Sequence, residues 1–233
     1  MDATVSTNSV AKDLQDLFPI WNKLTPEEQQ TLTQSVIERK IPQGTVIHKG
    51  SEDCLGLYLV KGGLLRAYIL SEGGKEITVY RLYERDMCLF SASCMLNDIQ
   101  FDIWVEADKD TDLFIIPTHV YRQLMQTSLA VANFTNQLMA SRFSEVMWLI
   151  EQILFQRFDK RLADFLLEQS VIENSTFLPI THEKIARHLG TAREVVTRML
   201  KYFHTEQMVL LSRGGIQIAN YEKLNELSAQ SKS

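Results

Sequence analysis

A run of charged side chains near the C-terminal end of the sequence has the types and spacing to do chemistry. Arg193 and Glu194 are adjacent, and Thr197, Arg198 and Lys201 follow at intervals that place all five on one side of an α-helix. Arginine can bond O6 and N7 of a guanine together, a carboxylate can accept from a cytosine N4 amine, and lysine meets phosphates. Such a face could read the edges of DNA bases. A plainer role is open to the same residues: Thr191-x-x-Glu194 has the spacing of a capping box, and exposed Arg and Lys on a helix are usually only solvated. Catalytic motifs are missing. No Gly-x-Ser-x-Gly elbow, His-Glu-x-x-His pair, P-loop or Rossmann glycine run occurs, so the chain is expected not to be an enzyme.

The apolar residues around this run say how it is held. Ile185, Ala186 and Leu189 share one face of a short helical pattern, which meets Gly190 where a helix must stop. A second stripe then restarts with Val196, Met199, Leu200 and Phe203 at i, i+3, i+4, i+7. Glycine takes left-handed φ at a helix C-terminus without steric cost, so two helices joined by a short turn follow. Further on, Val209 to Ser212 and Ile216 to Ala219 read as two short strands around Arg213-Gly214-Gly215, the hairpin of a wing on which Arg213 is placed to meet phosphate. The expected architecture of this region is a winged helix-turn-helix, with a frayed tail after Asn225.

Upstream, residues 12 to 24 and 26 to 39 read as two helices. The second is opened by a capping box at Thr25-Pro26-Glu27-Glu28, with Leu32, Val36 and Ile37 on its buried side. From Ile41 the period changes. Glycines recur between Thr45 to His48, Leu57 to Val60, Leu64 to Leu70 and Glu76 to Leu82, which predicts an antiparallel β barrel or roll, closed by a strand over Thr111 to Ile116. Residues 129 to 156 form the longest helical pattern, in which Met139, Phe143, Val146, Ile150 and Ile153 alternate by four and three. That alternation predicts a two-stranded homodimer seam, or else burial within the helix's own domain. A weaker stripe of Phe134, Leu138, Trp148 and Phe155 is expected to touch the roll or the C-terminal domain. Phe155 to Phe158 reads as a hinge, with Asp159 capping a helix whose Leu162, Phe165 and Leu166 face inward.

Composition narrows the function further. At 233 residues and 45% hydrophobic content the chain can bury a proper core, its length suits two small domains better than one large one, and a net charge of −5 argues against a protein that coats nucleic acid non-specifically. No basic segment leads into an apolar core near the start, and no apolar run approaches the roughly eighteen residues that would span a membrane. A cytoplasmic protein without membrane contact is expected. Cys54, Cys88 and Cys94 lack zinc-ribbon spacing and are expected to be reduced thiols, with a Cys88–Cys94 redox switch the lesser reading. His48 and His119 stand alone, without partners at metal-ligand spacing, so neither a metal nor haem is expected.

Thr181, Glu183, Ile185, Ala186, Leu189, Gly190, Arg193-Glu194, Arg198 and Leu200 closely resemble the DNA-binding motif of the Crp/Fnr family of transcription regulators. The resemblance implies that Arg193, Glu194, Thr197 and Arg198 face base edges in a half-site of TGTGA type, and that Thr181 and Lys201 join Arg213 at phosphates. It also implies a homodimer on double-stranded DNA, with RNA polymerase as a further partner. The glycine spacing and Leu57-Tyr58-Leu59-Val60-Lys61-Gly62 look like the β-roll of the cyclic-nucleotide-binding superfamily over residues 18 to 117.

Nucleotide-binding members carry a Gly-Glu pair and, about ten residues later, an Arg-Ser or Arg-Thr pair that together hold the ribose and cyclic phosphate. Aligned on Trp104-Val105, those positions are Phe90, Ser91, Phe101 and Asp102 here. A carboxylate where a phosphate should sit disfavours cyclic AMP or GMP. Leu89, Phe90, Ser91, Met95, Phe101 and Trp104 could instead line a pocket for an apolar or aromatic small-molecule effector, or simply fill a core. The oxygen-sensing branch holds an iron–sulfur cluster with four cysteines, mostly N-terminal, and none precedes Cys54, so no cluster is expected.

The expected fold class is therefore α+β: an N-terminal antiparallel β-roll sensor domain (1–128), a long dimerisation helix (129–156) and a C-terminal winged helix-turn-helix (157–233). The competing expectation is a β-roll sensor that controls a protein partner without binding DNA.

Overall fold

The computed structural model describes residues 7–50, 55–89 and 102–229. The chain forms two compact units, one of Met1–Leu70 with Val79–Val146, the other of Ser71–Thr78 with Met147–Ser233.

In the first unit, helix α1 (Thr7–Leu17), a 3-10 turn at Trp21–Lys23 and helix α2 (Pro26–Ser35) precede the strands. The capping box forms as read. Glu28 N–H donates to Thr25 Oγ1 at 3.3 Å and Thr25 N–H donates to Glu28 Oε2 at 2.9 Å, with Pro26 at the first helical position. The helix is shorter than its apolar period suggests. It stops at Ser35, Val36 is extended, and Ile37–Ile41 becomes strand β1, so Ile37 is 42% exposed rather than on a buried helix side. The β-branched pair Val36-Ile37 suits an extended backbone, and pairing with a distant strand settles the choice.

The remaining strands are β2 (Val46–Lys49), β3 (Gly56–Gly62), β4 (Leu65–Leu70), β5 (Glu76–Leu82), β6 (Met87–Cys88), β7 (Trp104–Ala107) and β8 (Thr111–Pro117). Two four-stranded sheets result, ordered β1-β8-β3-β6 and β2-β7-β4-β5, and the pairs whose registers are defined are antiparallel. Strand β8 is buried on both faces, which explains its unbroken Leu113-Phe114-Ile115-Ile116. Phe114 and Ile116 join Leu57, Leu59, Leu14, Leu32 and Tyr121 in one core, while Leu113 and Ile115 turn to the opposite face. Gly63, at φ +99°, is where the chain turns against β8, since a Cβ there would stand 2.3 Å from the Asp110 carbonyl oxygen. Helix α3 (Thr118–Thr127) covers this core and leads into α4 (Leu129–Phe155).

The second unit holds α5 (Phe158–Glu173), β9 (Phe177–Leu178), α6 (His182–Leu189), α7 (Arg193–Thr205), β10 (Val209–Ser212), β11 (Gly215–Ile218) and α8 (Tyr221–Ala229). Its core joins Leu162 and Leu166 of α5 to Ile185, Val196, Leu200, Phe203 and Leu224. Strand β9, unmarked in the sequence, completes a β10-β11-β9 sheet through Ile216↔Leu178 and Gln217↔Phe177.

Two expectations are corrected in this unit. Asp159 does not cap α5; Arg157 holds that position, and Asp159 lies in the first turn, accepting from Lys160 N–H at 2.9 Å and pairing with Arg157 at 2.9 Å. An acid there answers the positive end of the helix. The tail is not frayed from Asn225: α8 runs to Ala229, tied down by fully buried Leu224 and by Ser228, whose hydroxyl bonds Asp164.

Candidate nucleic-acid interface

Local hydrogen bonds build the helix pair around its turn. Thr181 caps α6, its hydroxyl accepting from Lys184 N–H at 3.1 Å. Gly190 ends it in the left-handed region at φ 65°, and Thr191 N–H reaches back to the Ala186 carbonyl at 3.0 Å, the six-to-one bond of a Schellman turn. The Leu189 carbonyl is satisfied from outside the helix, by Arg161 at 2.7 Å. Helix α7 then starts with Ala192 at its cap and no side-chain cap bond. The Thr191-x-x-Glu194 capping box is therefore not formed, and Glu194 is free for another role.

Val196, Leu200 and Phe203 are fully buried, which fixes the rotation of α7. Arg193, Glu194, Arg198 and Lys201 are exposed on the opposite side, and Thr197 is half-buried among them. Thr197 is not free: its Oγ1 donates to the Arg193 carbonyl at 2.9 Å and lies 2.9 Å from His182 Nδ1. Burial, then the nearby Arg193 guanidinium, hold the His182 imidazole below its ordinary range. Thr181 is exposed at the N-terminus of α6, and Arg213 is exposed in the turn between β10 and β11, where Ser212 Oγ donates to the Gly215 carbonyl at 3.0 Å. Guanidinium, carboxylate and ammonium groups are thus displayed on one helix of a domain whose opposite side is packed.

Comparison with known proteins agrees with this geometry. Residues 160–227 match the model of the Crp-like helix-turn-helix domain, and residues 38–128 match that of the cyclic nucleotide-binding domain. A crystal structure from Eubacterium rectale, assigned to the Crp/Fnr family of transcriptional regulators, is 53% identical and superposes with a TM-score of 0.91 over 92% of this chain and 100% of that one. The chain belongs to the Crp/Fnr family of transcription regulators. More distant relatives include a cyclic AMP receptor protein of Thermus thermophilus, 27% identical over 90% of this chain and 96% of that protein. A fumarate and nitrate reduction regulatory protein of Vibrio cholerae is 28% identical over 90% of this chain and 86% of its own length.

In this Crp/Fnr regulator the positions expected to line an effector pocket divide. Leu89 is fully buried in the core shared with α1, α2 and α3, whereas Trp104 packs on Tyr68 with ring centroids 6.2 Å apart. Phe90, Ser91, Met95 and Phe101 lie outside the described residues, as do Cys54 and Cys94. Asp102 is exposed and lies against Gly50, where a Cβ would meet its carboxyl at 2.7 Å. His48 is buried in β2 and His119 is exposed on α3; among the described residues no group of three or more His, Cys, Asp or Glu could hold a metal ion.

On α4 the expected seam is open to solvent in the single chain: Met139 is 37%, Phe143 67%, Ile150 41% and Ile153 42% exposed, and Val146 is half-buried. The second stripe splits. Phe134 and Leu138 pack into the first unit's core, while Trp148 and Phe155 are exposed. Beside the seam, periodicity had no means of marking Arg142. It is 5% exposed, its Nη1 donates to both carboxylate oxygens of Glu145 at 2.9 and 2.7 Å, and its guanidinium lies 4.6 Å over the Tyr80 ring, whose hydroxyl is 3.8 Å from the buried Cys88 thiol. Burial above all pushes the Tyr80 hydroxyl well above its ordinary range.

Proposed function

We propose that this Crp/Fnr regulator binds, as a homodimer, a pseudo-palindromic site with TGTGA-type half-sites. Arg193, Glu194, Thr197 and Arg198 read bases, and Thr181, Lys201 and Arg213 contact phosphates. The observation that carries this reading is the outward display of Arg193, Glu194 and Arg198 on α7 while Val196, Leu200 and Phe203 are sealed beneath them. The exposed row of Met139, Phe143, Ile150 and Ile153 on α4 supplies the apolar area for self-association, with Val146 completing the seam. A two-fold dimer places the two reading helices about 34 Å apart, one turn of DNA.

The division of labour follows chain order: residues 1–128 sense, 129–156 dimerise and 157–233 bind DNA. Control is allosteric and answers to a signal other than a cyclic nucleotide, because Asp102 stands, by the family resemblance, where the phosphate clamp would need a cation. The protein works in the cytoplasm without catalytic activity, with RNA polymerase as its further partner. None of the helices in the described residues is long and apolar enough to cross a membrane.

A gel-shift titration tests the reading, using a TGTGA-type palindrome and a scrambled duplex of equal length. The palindrome is expected to bind at least about a hundredfold more tightly at physiological salt. Equal affinity for both duplexes would refute sequence reading, and absence of binding to either would leave the roll acting on a protein partner.

A further inference from the structure

His182 is the first residue of α6, and its ring reaches across to the middle of the reading helix. Nδ1 lies 2.9 Å from Thr197 Oγ1, one helical turn beyond Arg193 and next to Arg198. A hydroxyl has one hydrogen, and that of Thr197 is donated to the Arg193 carbonyl. Both contacts are hydrogen bonds only when the imidazole donates from Nδ1, and that arrangement is the neutral tautomer whose Nε2 carries the lone pair. Among the described residues Nε2 makes no hydrogen bond, and the His182 side chain is only partly buried.

A lone pair on that nitrogen repels a phosphate oxygen, whereas an N–H there donates to it. We propose that His182 is a proton-linked DNA contact: its imidazole takes up one proton as the duplex docks, and the new Nε2–H donates to a phosphate oxygen. The proton comes from solvent and no other bond changes. This rests on the DNA-reading role of α7 and adds to it a residue and a pH dependence.

The electrostatics run in the direction the proposal needs. In the free protein, burial and then Arg193 of α7 hold the ring below its ordinary range. The N-terminus of α6 adds its own positive dipole. Phosphates at the interface bring negative charge, offsetting Arg193 and favouring the imidazolium. Proton uptake makes affinity rise as pH falls, by up to about tenfold per pH unit per protomer between the free and bound titrations. The bond to Thr197 also fixes the orientation of that hydroxyl, so Thr197 is positioned by His182.

The test is fluorescence anisotropy of the full-length protein on the palindromic duplex, from pH 8 to pH 6 at constant ionic strength. Wild type is expected to tighten as pH falls. His182→Gln, which can donate but cannot titrate, should flatten the profile, and His204→Gln, altering an exposed histidine at the far end of α7, should keep it. Histidine NMR resonances should show His182 titrating at higher pH in the complex than in the free protein. Specific binding with a flat profile, or a slope unchanged in His182→Gln, overturns this proposal alone. Loss of all specific binding in wild type at every pH overturns both it and the reading beneath it.

Discussion

Arg193, Glu194 and Arg198 differ from most surface charges in what surrounds them: exposed side chains on a helix locked by a sealed apolar face, with the capping role that could have absorbed Glu194 left unfilled. Replacing Arg193 or Arg198 by alanine should cost about 1 to 3 kcal/mol on the cognate duplex and far less on random DNA, because a bidentate guanine contact exists only at the right base. Lys201→Ala should weaken both duplexes alike and reduce the salt dependence by about one phosphate contact. Anisotropy on the two duplexes at two salt concentrations separates these outcomes; equal losses on both for the arginine variants would count against base reading. The residues that sequence reading passed over, His182 and Arg142, share a cause. Each acquires its role from a partner on another element or from the burial of its surroundings, and neither is announced by spacing.

Elements carry the next set of consequences. Helix α6 can end where it does because Gly190 adopts φ 65°; Gly190→Ala puts a Cβ into that left-handed turn and should destabilise the DNA-binding domain by roughly 1 to 2 kcal/mol, read as a lowered urea midpoint. On α4, Phe143 at 67% and Ile150 at 41% exposure are large apolar groups facing water in the single chain. Replacing both with glutamate places like charges across the proposed two-fold seam, and sedimentation should then report a monomer with weakened palindrome binding. A dimer that persists in this variant would mean that other surfaces associate. The capping box at Thr25, the long helix from Leu129 and the strand over Glu76–Leu82 were legible because each is a local pattern. The helix expected through 36–39 was not formed, since strand pairing of Ile37 with Ile115 outweighed a few residues of helical period.

At the scale of the whole molecule, stability and binding should respond to pH in opposite senses. His182 is held below its ordinary range, so the unfolded chain binds its proton more readily. Its contribution to stability is present above about pH 6.5 and is lost as pH falls toward the folded value. Acidification should thus weaken the free protein slightly over the window in which DNA affinity rises. The alkaline limit has another origin. Tyr121 is fully buried, its hydroxyl 2.8 Å from Thr135 Oγ1, and burial pushes it up to about 12 from an ordinary 10. Between those values the unfolded state releases the proton first, so stability should fall by roughly 2 to 3 kcal/mol as pH rises from 10 to 12. Tyr121→Phe, lacking the ionisable group, should show a shallower loss in denaturant titrations over that range.

The sequence by itself determined the α+β class, the helix-turn-helix with its wing, and which face of α7 points away from the core. Those properties follow from the spacing of apolar residues and the conformational freedom of one glycine, and both act over a few residues of chain. Only the tertiary structure decided that Glu194 is not a cap, that Thr197 is bound to His182, that residues 36–39 form strand, and that Arg142 is buried over Tyr80. Such outcomes depend on which distant segments are brought into register, and hydrogen-bond partners chosen across elements leave no period in the chain that supplies them.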